Sequence, residues 1–191
     1  MQLERYSRPA IALHWTIGAV IIFNVLLAWL WPFLPDEQVR PAINWHKTLG
    51  ILVLGLVAMR IIWRFVRTPP PMPTTFQKWE SRLAHVTHIL LYVVMIGLPL
   101  SGWIMDSAWD KAADHPILAF NGAFELPRIG WIMAMSAEQK KVLHDVFGEG
   151  HEIGAKLLYL LFVLHVAGAL KHQWIDKQPE LQRMWFGKKR A

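Results

Sequence analysis

Histidine is the residue type in this chain whose number and spacing could do chemistry. There are nine histidines and no cysteine. His151 and His165 stand fourteen residues apart in a nearly apolar stretch. At about 100° per residue they return to within roughly 40° of one helix face. At about 1.5 Å rise per residue they are roughly 21 Å apart along the axis. One helix would thus present two imidazoles to one side, one near each edge of a hydrocarbon layer about 30 Å thick. An imidazole at such depth has to face the protein interior and find a partner. Two stacked haems require that placement, and two unrelated polar anchors would also satisfy it. The absence of cysteine excludes disulfides, thiolate-held iron–sulfur clusters and the Cys-x-x-Cys-His attachment, so any haem must be held non-covalently. No Gly-x-Gly-x-x-Gly or P-loop sequence offers a seat for a nucleotide.

The elements that must position these histidines follow from composition. The 191 residues are 54% hydrophobic and 18% charged, which is apolar for a soluble domain. They hold four apolar spans, at approximately 10–31, 43–65, 86–106 and 148–172. The fold expected is an all-α integral membrane four-helix bundle, one domain over residues 1–191. The first apolar run is too long for a signal-peptide core and lacks a small-residue cleavage site, so it reads as a retained helix. Pro9 suits a first helical turn, and Pro32 and Pro35 end the first span. Thr68-Pro-Pro-Pro-Met-Pro73 reads as a stiff, extended connection. Pro99 in Gly97-Leu-Pro99 should kink the third helix. The longest connection, 106–139, mixes acidic residues with a few large apolar ones and suggests a short structured cap on the bundle.

Lysine and arginine set the orientation. Thirteen fall on the side of the termini and six on the other, with Lys156 inside the fourth span. Both termini are therefore expected in the cytoplasm. The net charge of +6 is this positive-inside pattern, so the expected partners include membrane lipid and exclude nucleic acid. The basic tail 187–191 reads as a topology signal at an anionic leaflet.

This topology pairs histidines by depth. His14 on the first span matches His165 near the cytoplasmic edge, and His46 on the second matches His151 near the external edge. A bis-imidazole iron is a low-spin electron-transfer centre with no position open to oxygen or substrate. The alternative is that all four histidines are interfacial anchors. His85 and His88, three apart, read first as interfacial residues and second as propionate or quinone contacts. His144, seven residues before His151 and nearly on the same face, should lie outside the hydrocarbon and reads only second as a substitute ligand; His115 reads as solvated. His172, seven residues past His165, would sit at the rim of the inner site, where a quinone headgroup could exchange a proton. Arg60, fourteen residues after His46, is placed to pair with a propionate of the inner haem, or to act as a positive-inside anchor. Tryptophans cluster at span ends, including Trp15, Trp29, Trp31, Trp63 and Trp103, as an interfacial belt.

The chain resembles the bacterial cytochrome b561 family of four-helix, dihaem membrane cytochromes. The motifs are Tyr6-Ser-Arg with His14-Trp15, Trp45-His46-Lys-Thr-Leu-Gly50, Met59-Arg-Ile-Ile-Trp-Arg64 before Thr68-Pro-Pro-Pro71, His88-x-x-Leu-Tyr92, and Leu164-His165 with Leu170-Lys-His172. They cover all four spans. The resemblance implies two haem b groups whose iron is bound by His14, His46, His151 and His165, in a bacterial inner-membrane protein that exchanges electrons with the quinone pool. The function expected is electron transfer between quinone and an external, periplasmic partner. The competing expectations are a superoxide:quinone oxidoreductase using an external basic pocket, the haem b membrane subunit of a larger dehydrogenase, and a non-redox metal or haem transporter. Lys156, between the two ligand positions of the fourth span, departs from expectation because an unpaired charge at that depth is costly.

Overall fold

The computed structural model describes residues 5–71 and 76–186, apart from the side chain of Asn121. The basic tail 187–191 and the end of the proline-rich connection, Met72-Pro73, lie outside the described residues. In chain order the elements are α1 (Arg8–Leu30), α2 (Asp36–Val66), α3 (Lys78–Ser107), the short strands β1 (Ile117–Ala119) and β2 (Phe124–Leu126), α4 (Gly130–Met133), α5 (Ala137–Leu170) and α6 (Glu180–Arg183). The helices α1, α2, α3 and α5 are each long and apolar enough to cross a membrane. The expected four-helix membrane bundle is present. One end of it carries both termini; the other carries the 108–136 connection, called here the cap.

Local chemistry explains where the helices begin. Pro9 occupies the first turn of α1, where a missing N–H costs nothing. A 3₁₀ turn over Trp31–Phe33 and Pro35 reverse the chain into α2. Asp36 and Glu37 open α2 and complement its dipole. Gln77 with Glu80, and Ser136 with Gln139, form reciprocal capping boxes that start α3 and α5. Two helices therefore extend well past their apolar runs: α2 begins at Asp36 rather than near 43, and α5 at Ala137 rather than near 148. α3 runs through Pro99 to Ser107 as one helix.

Helices α1 and α2 pack on each other, as do α3 and α5, and the two pairs meet mainly along α2 and α3. Ile17, Val53 and Val57 form one core cluster, and Val94, Leu158 and Leu161 a second; Ile21 packs against both. The backbones of α1 and α5 approach less closely than those within each pair; the side-chain layer between them, called here the slot, includes Ile21 and Val25 of α1 against the Val94–Leu158–Leu161 cluster. Trp29 Nε1 bridges it to Tyr159 Oη at 3.1 Å. Between 11% and 22% of each helix's most apolar window is buried. The apolar side chains instead cover the outside, with Ile62, Phe65 and Val163 all exposed. That surface needs hydrocarbon as its solvent.

The expected cap is an antiparallel hairpin, β1 on β2, with Ile117 opposite Leu126. Ile117 and Ala119 are buried, beside α2. The cap is fastened at Asp106, whose carboxylate takes Lys47 of α2 and, at 3.0 Å, the Nε of Arg128. Arg128 also donates to the carbonyls of Ala112 and His115. Ser107 Oγ accepts from Ile129 N, and Trp103 Nε1 donates to Pro127 O. The Asp106 side chain is 7% exposed, so its removal strands two cations in a largely buried site. Asp106→Ala is expected to destabilise the protein by about 3–5 kcal/mol, the usual result of removing one partner from a buried ion pair. Denaturant unfolding in detergent measures this; a change within 1 kcal/mol, about the value of an exposed pair, contradicts the account.

Candidate functional site

The structure brings the four histidines together as two pairs, one at each depth of the slot. Near the termini, the rings of His14 on α1 and His165 on α5 have centroids 5.9 Å apart at 81°. Near the cap, those of His46 on α2 and His151 on α5 are 6.2 Å apart at 69°. One helix contributes to both pairs, as the fourteen-residue spacing required.

Hydrogen bonds fix the ring chemistry near the cap. His46 Nδ1 lies 3.3 Å from the carbonyl of Asn24, and His151 Nδ1 lies 3.1 Å from that of Leu98 and 3.1 Å from Ser101 Oγ. A carbonyl only accepts, so each neutral ring carries its proton on Nδ1 and keeps a lone pair on Nε2. Ligating histidines are commonly oriented in this way. Gly102 gives His151 its room: a Cβ there would lie 3.3 Å from His151 Cε1. Sequence reasoning overlooked Asn24, Leu98, Ser101 and Gly102. Only the antiparallel depth of α3 against α5 could have suggested the last three.

The pair near the termini has a third imidazole. His88 on α3, read from sequence first as an interfacial residue, places its ring 5.2 Å from that of His165 at 84°. Its Nδ1 is 2.6 Å from the Ala84 carbonyl. Arg60 is also at this end, close enough for its charge to act on His14, His88 and His165. Its Nε donates to Tyr92 Oη at 3.0 Å and its Nη1 to Ala10 O at 2.9 Å. Tyr92 and a helix carbonyl thus hold the guanidinium in place.

His172 lies where α5 widens into a looser turn over Lys171–Ile175. Its side chain is 11% exposed and its Nδ1 is 2.7 Å from Asp176 Oδ2. Its ring stacks on Phe76 with centroids 3.9 Å apart. Lys171 Nζ reaches Glu80 Oε1 at 2.5 Å and Asp176 Oδ2 at 2.7 Å. The Lys171 ammonium, followed by the His172 ring, holds the Asp176 carboxyl below its ordinary value. The partners Phe76, Glu80 and Asp176 were missed because they come from the start of α3 and the turn after α5.

The remaining polar residues are accounted for locally. Lys156 is not a buried charge: it pairs with Glu152 at 2.8 Å, and both side chains are about 70% exposed. It therefore turns away from the histidine slot rather than toward it. His144 is half-exposed and lies 3.5 Å from Asp145 Oδ1. His115 is exposed and stacks on Trp109. The belt tryptophans do more than mark the interface. Trp15 Nε1 donates to Met184 O, and Trp63 Nε1 to Ser7 Oγ, which ties chain ends to helices.

These residues fit haem. An imidazole–metal bond of about 2 Å on each side, plus a ring radius of about 1 Å at each end, puts the ring centres of a bis-imidazole iron about 6 Å apart. Both pairs stand at that separation across the slot, and the rings near the cap hold Nε2 free. Nitrogen-only donor pairs without a carboxylate suit a bis-histidine haem better than a hard divalent cation.

The comparisons with known proteins agree. The family model for prokaryotic cytochrome b561 matches residues 5–187. Cytochrome b561 homolog 2 of Escherichia coli (strain K12) is 32% identical over 184 residues, covering 95% of this chain and 91% of the relative. Cytochrome b561 homolog 1 of the same organism is 29% identical over 115 residues, covering 60% of this chain and 56% of the relative. The chain belongs to the prokaryotic cytochrome b561 family and is a bacterial membrane cytochrome of the haem b type that works in electron transfer.

Proposed function

We propose that the protein carries single electrons between a quinone on the cytoplasmic side and a redox partner on the outer, periplasmic side of the inner membrane. Two haem b groups are bound without covalent attachment, the inner one by His14 and His165 and the outer one by His46 and His151. The observation that carries this reading is the two facing imidazole pairs sharing α5. Haem b, when bound, would supply a one-electron iron couple. The chain supplies the rest. His46 and His151 are held at Nδ1 by carbonyls, which would leave Nε2 to hold the iron. Arg60 offers its guanidinium to a propionate beside the inner pair. The end carrying the termini is the cytoplasmic one, by the excess of lysine and arginine there.

Quinone chemistry moves protons as well as electrons, and His172 is the proposed proton-exchanging contact. With Nδ1–H donated to Asp176, the neutral ring keeps Nε2 for taking up and releasing a proton. Lys171 is engaged by Glu80 and Asp176, which leaves Arg60 as the proposed source of positive charge at the inner site. A superoxide:quinone activity would need a cationic external pocket. Of the lysines that could line one, Lys47, Lys111, Lys140, Lys141 and Lys156, three are already paired, Lys47 with Asp106, Lys141 with Asp145 and Lys156 with Glu152, so electron exchange between quinone and a redox partner is preferred.

A pyridine haemochrome assay on the purified protein is expected to give two haems per chain, both extractable by acid acetone. His165→Ala should lose the inner component, and His46→Ala or His151→Ala the outer; loss of one and the same spectral component in all three variants contradicts the pairing. Gly102→Val should push the His151 ring aside and reduce the outer haem alone, as read by redox titration. His172→Ala should leave the dithionite-reduced spectrum intact and slow quinol-driven haem reduction by about 100-fold, within the range of a positioned acid–base group. Unchanged quinol kinetics in that variant remove His172 from the mechanism.

A further inference from the structure

The inner site holds three imidazoles where a haem iron accepts two. His165 has His14 on one side, with ring centroids 5.9 Å apart, and His88 on another, 5.2 Å apart, each nearly perpendicular to it. The three rings come from three different helices, α1, α5 and α3, so their convergence is a product of the tertiary fold. His88 is set up as a ligand rather than as a headgroup anchor. Its Nδ1 donates to the Ala84 carbonyl at 2.6 Å, so the neutral ring keeps a lone pair on Nε2. An interfacial anchor would instead keep its N–H for phosphate or water. His88 is exposed overall, and its ring lies against that of His165.

We infer that His88 is a reserve axial ligand of the inner site, able to replace His14 opposite His165; this rests on the haem reading above. Spacing explains the order of preference. A shared iron sets two imidazole centres about 6 Å apart, which His14 already satisfies. His88 stands about 1 Å closer to His165 than that, so it packs edge-on against the ring while His14 is bound. When His14 leaves, rotation about the His88 side chain supplies the missing separation. The chemical consequence concerns oxygen. An iron bound by one histidine has a free coordination position that takes small diatomic ligands. A second imidazole within reach closes that position and keeps the site confined to electron transfer.

The test uses His14→Ala, His88→Ala, the double variant and His165→Ala, each purified in detergent. Readouts are haem per chain, the carbon monoxide difference spectrum of the reduced protein, and low-temperature electron paramagnetic resonance. The outer haem reports folding in every sample. His14→Ala is expected to keep both haems low-spin, with shifted g-values for the inner one and no carbon monoxide band. His88→Ala should also keep both. The double variant should lose one haem per chain, or hold it in a form that binds carbon monoxide, and His165→Ala should lose it outright. Loss of the inner haem, or a carbon monoxide band, in His14→Ala alone overturns the reserve ligand. A double variant whose inner haem stays low-spin and carbon-monoxide-inert overturns it too. A wild-type protein with fewer than two haems overturns the haem reading itself, and the reserve ligand with it.

Discussion

An imidazole inside hydrocarbon has to be answered by another polar group, and α5 carries two of them on one side. The rest of the bundle is arranged to supply the answers. α1 brings His14 and α2 brings His46 to within about ring-contact range of His165 and His151. To leave space for that, the helices pack as two tight pairs, α1 with α2 and α3 with α5, and α1 meets α5 through side chains such as Trp29 against Tyr159 rather than by close backbone approach. A fully interdigitated core would be denser and would close the slot. The membrane makes this looseness tolerable, because the outward apolar side chains lose little by facing lipid rather than protein.

Charge is handled differently at the two ends. Near the cap, Asp106 gathers Lys47 of α2 and Arg128 of the connection, so the residue next to the ligand candidate His46 is tied to the cap. Near the termini, Lys171 is shared by Glu80 and Asp176, and Asp176 also takes His172. Arg60 has Tyr92 and Ala10 as its partners. Each end thus carries a fixed ion network beside a pair of rings. The cap-end network binds a loop to the bundle, and the other holds a titratable imidazole close to water.

Much of this was legible in the sequence. Four apolar runs, the depth of each histidine and the fourteen-residue repeat follow from helix geometry and bilayer thickness, which do not depend on side-chain packing. Helix starts were less visible where polarity hid them. The capping box of Ser136 and Gln139 opens twelve residues ahead of the expected span at 148, and hydropathy alone does not see it. Lys156 looked costly because a span was assumed to be apolar all round, whereas Glu152 one turn earlier neutralises it on an exposed face. The meeting of His88 with His165 was hidden for a different reason. His165 is on another helix, and the facing of α3 against α5 is set by packing that no periodicity reports. The hydrogen bonds that orient the rings, from Asn24, Leu98 and Ala84, use backbone carbonyls, which every residue possesses and which sequence therefore cannot single out.

The sharing of α5 also bears on how such a molecule is assembled. Both ring pairs draw one member from the fourth of the long helices, so neither pair exists while only α1, α2 and α3 have entered the membrane. After α5 the chain turns back: Tyr6 N donates to Arg183 O, and Trp15 meets both Met184 O and the ring of Trp185. This closing segment lies across the end of the bundle near His14. On the proposed assignment, cofactor capture would have to wait for insertion of the fourth long helix.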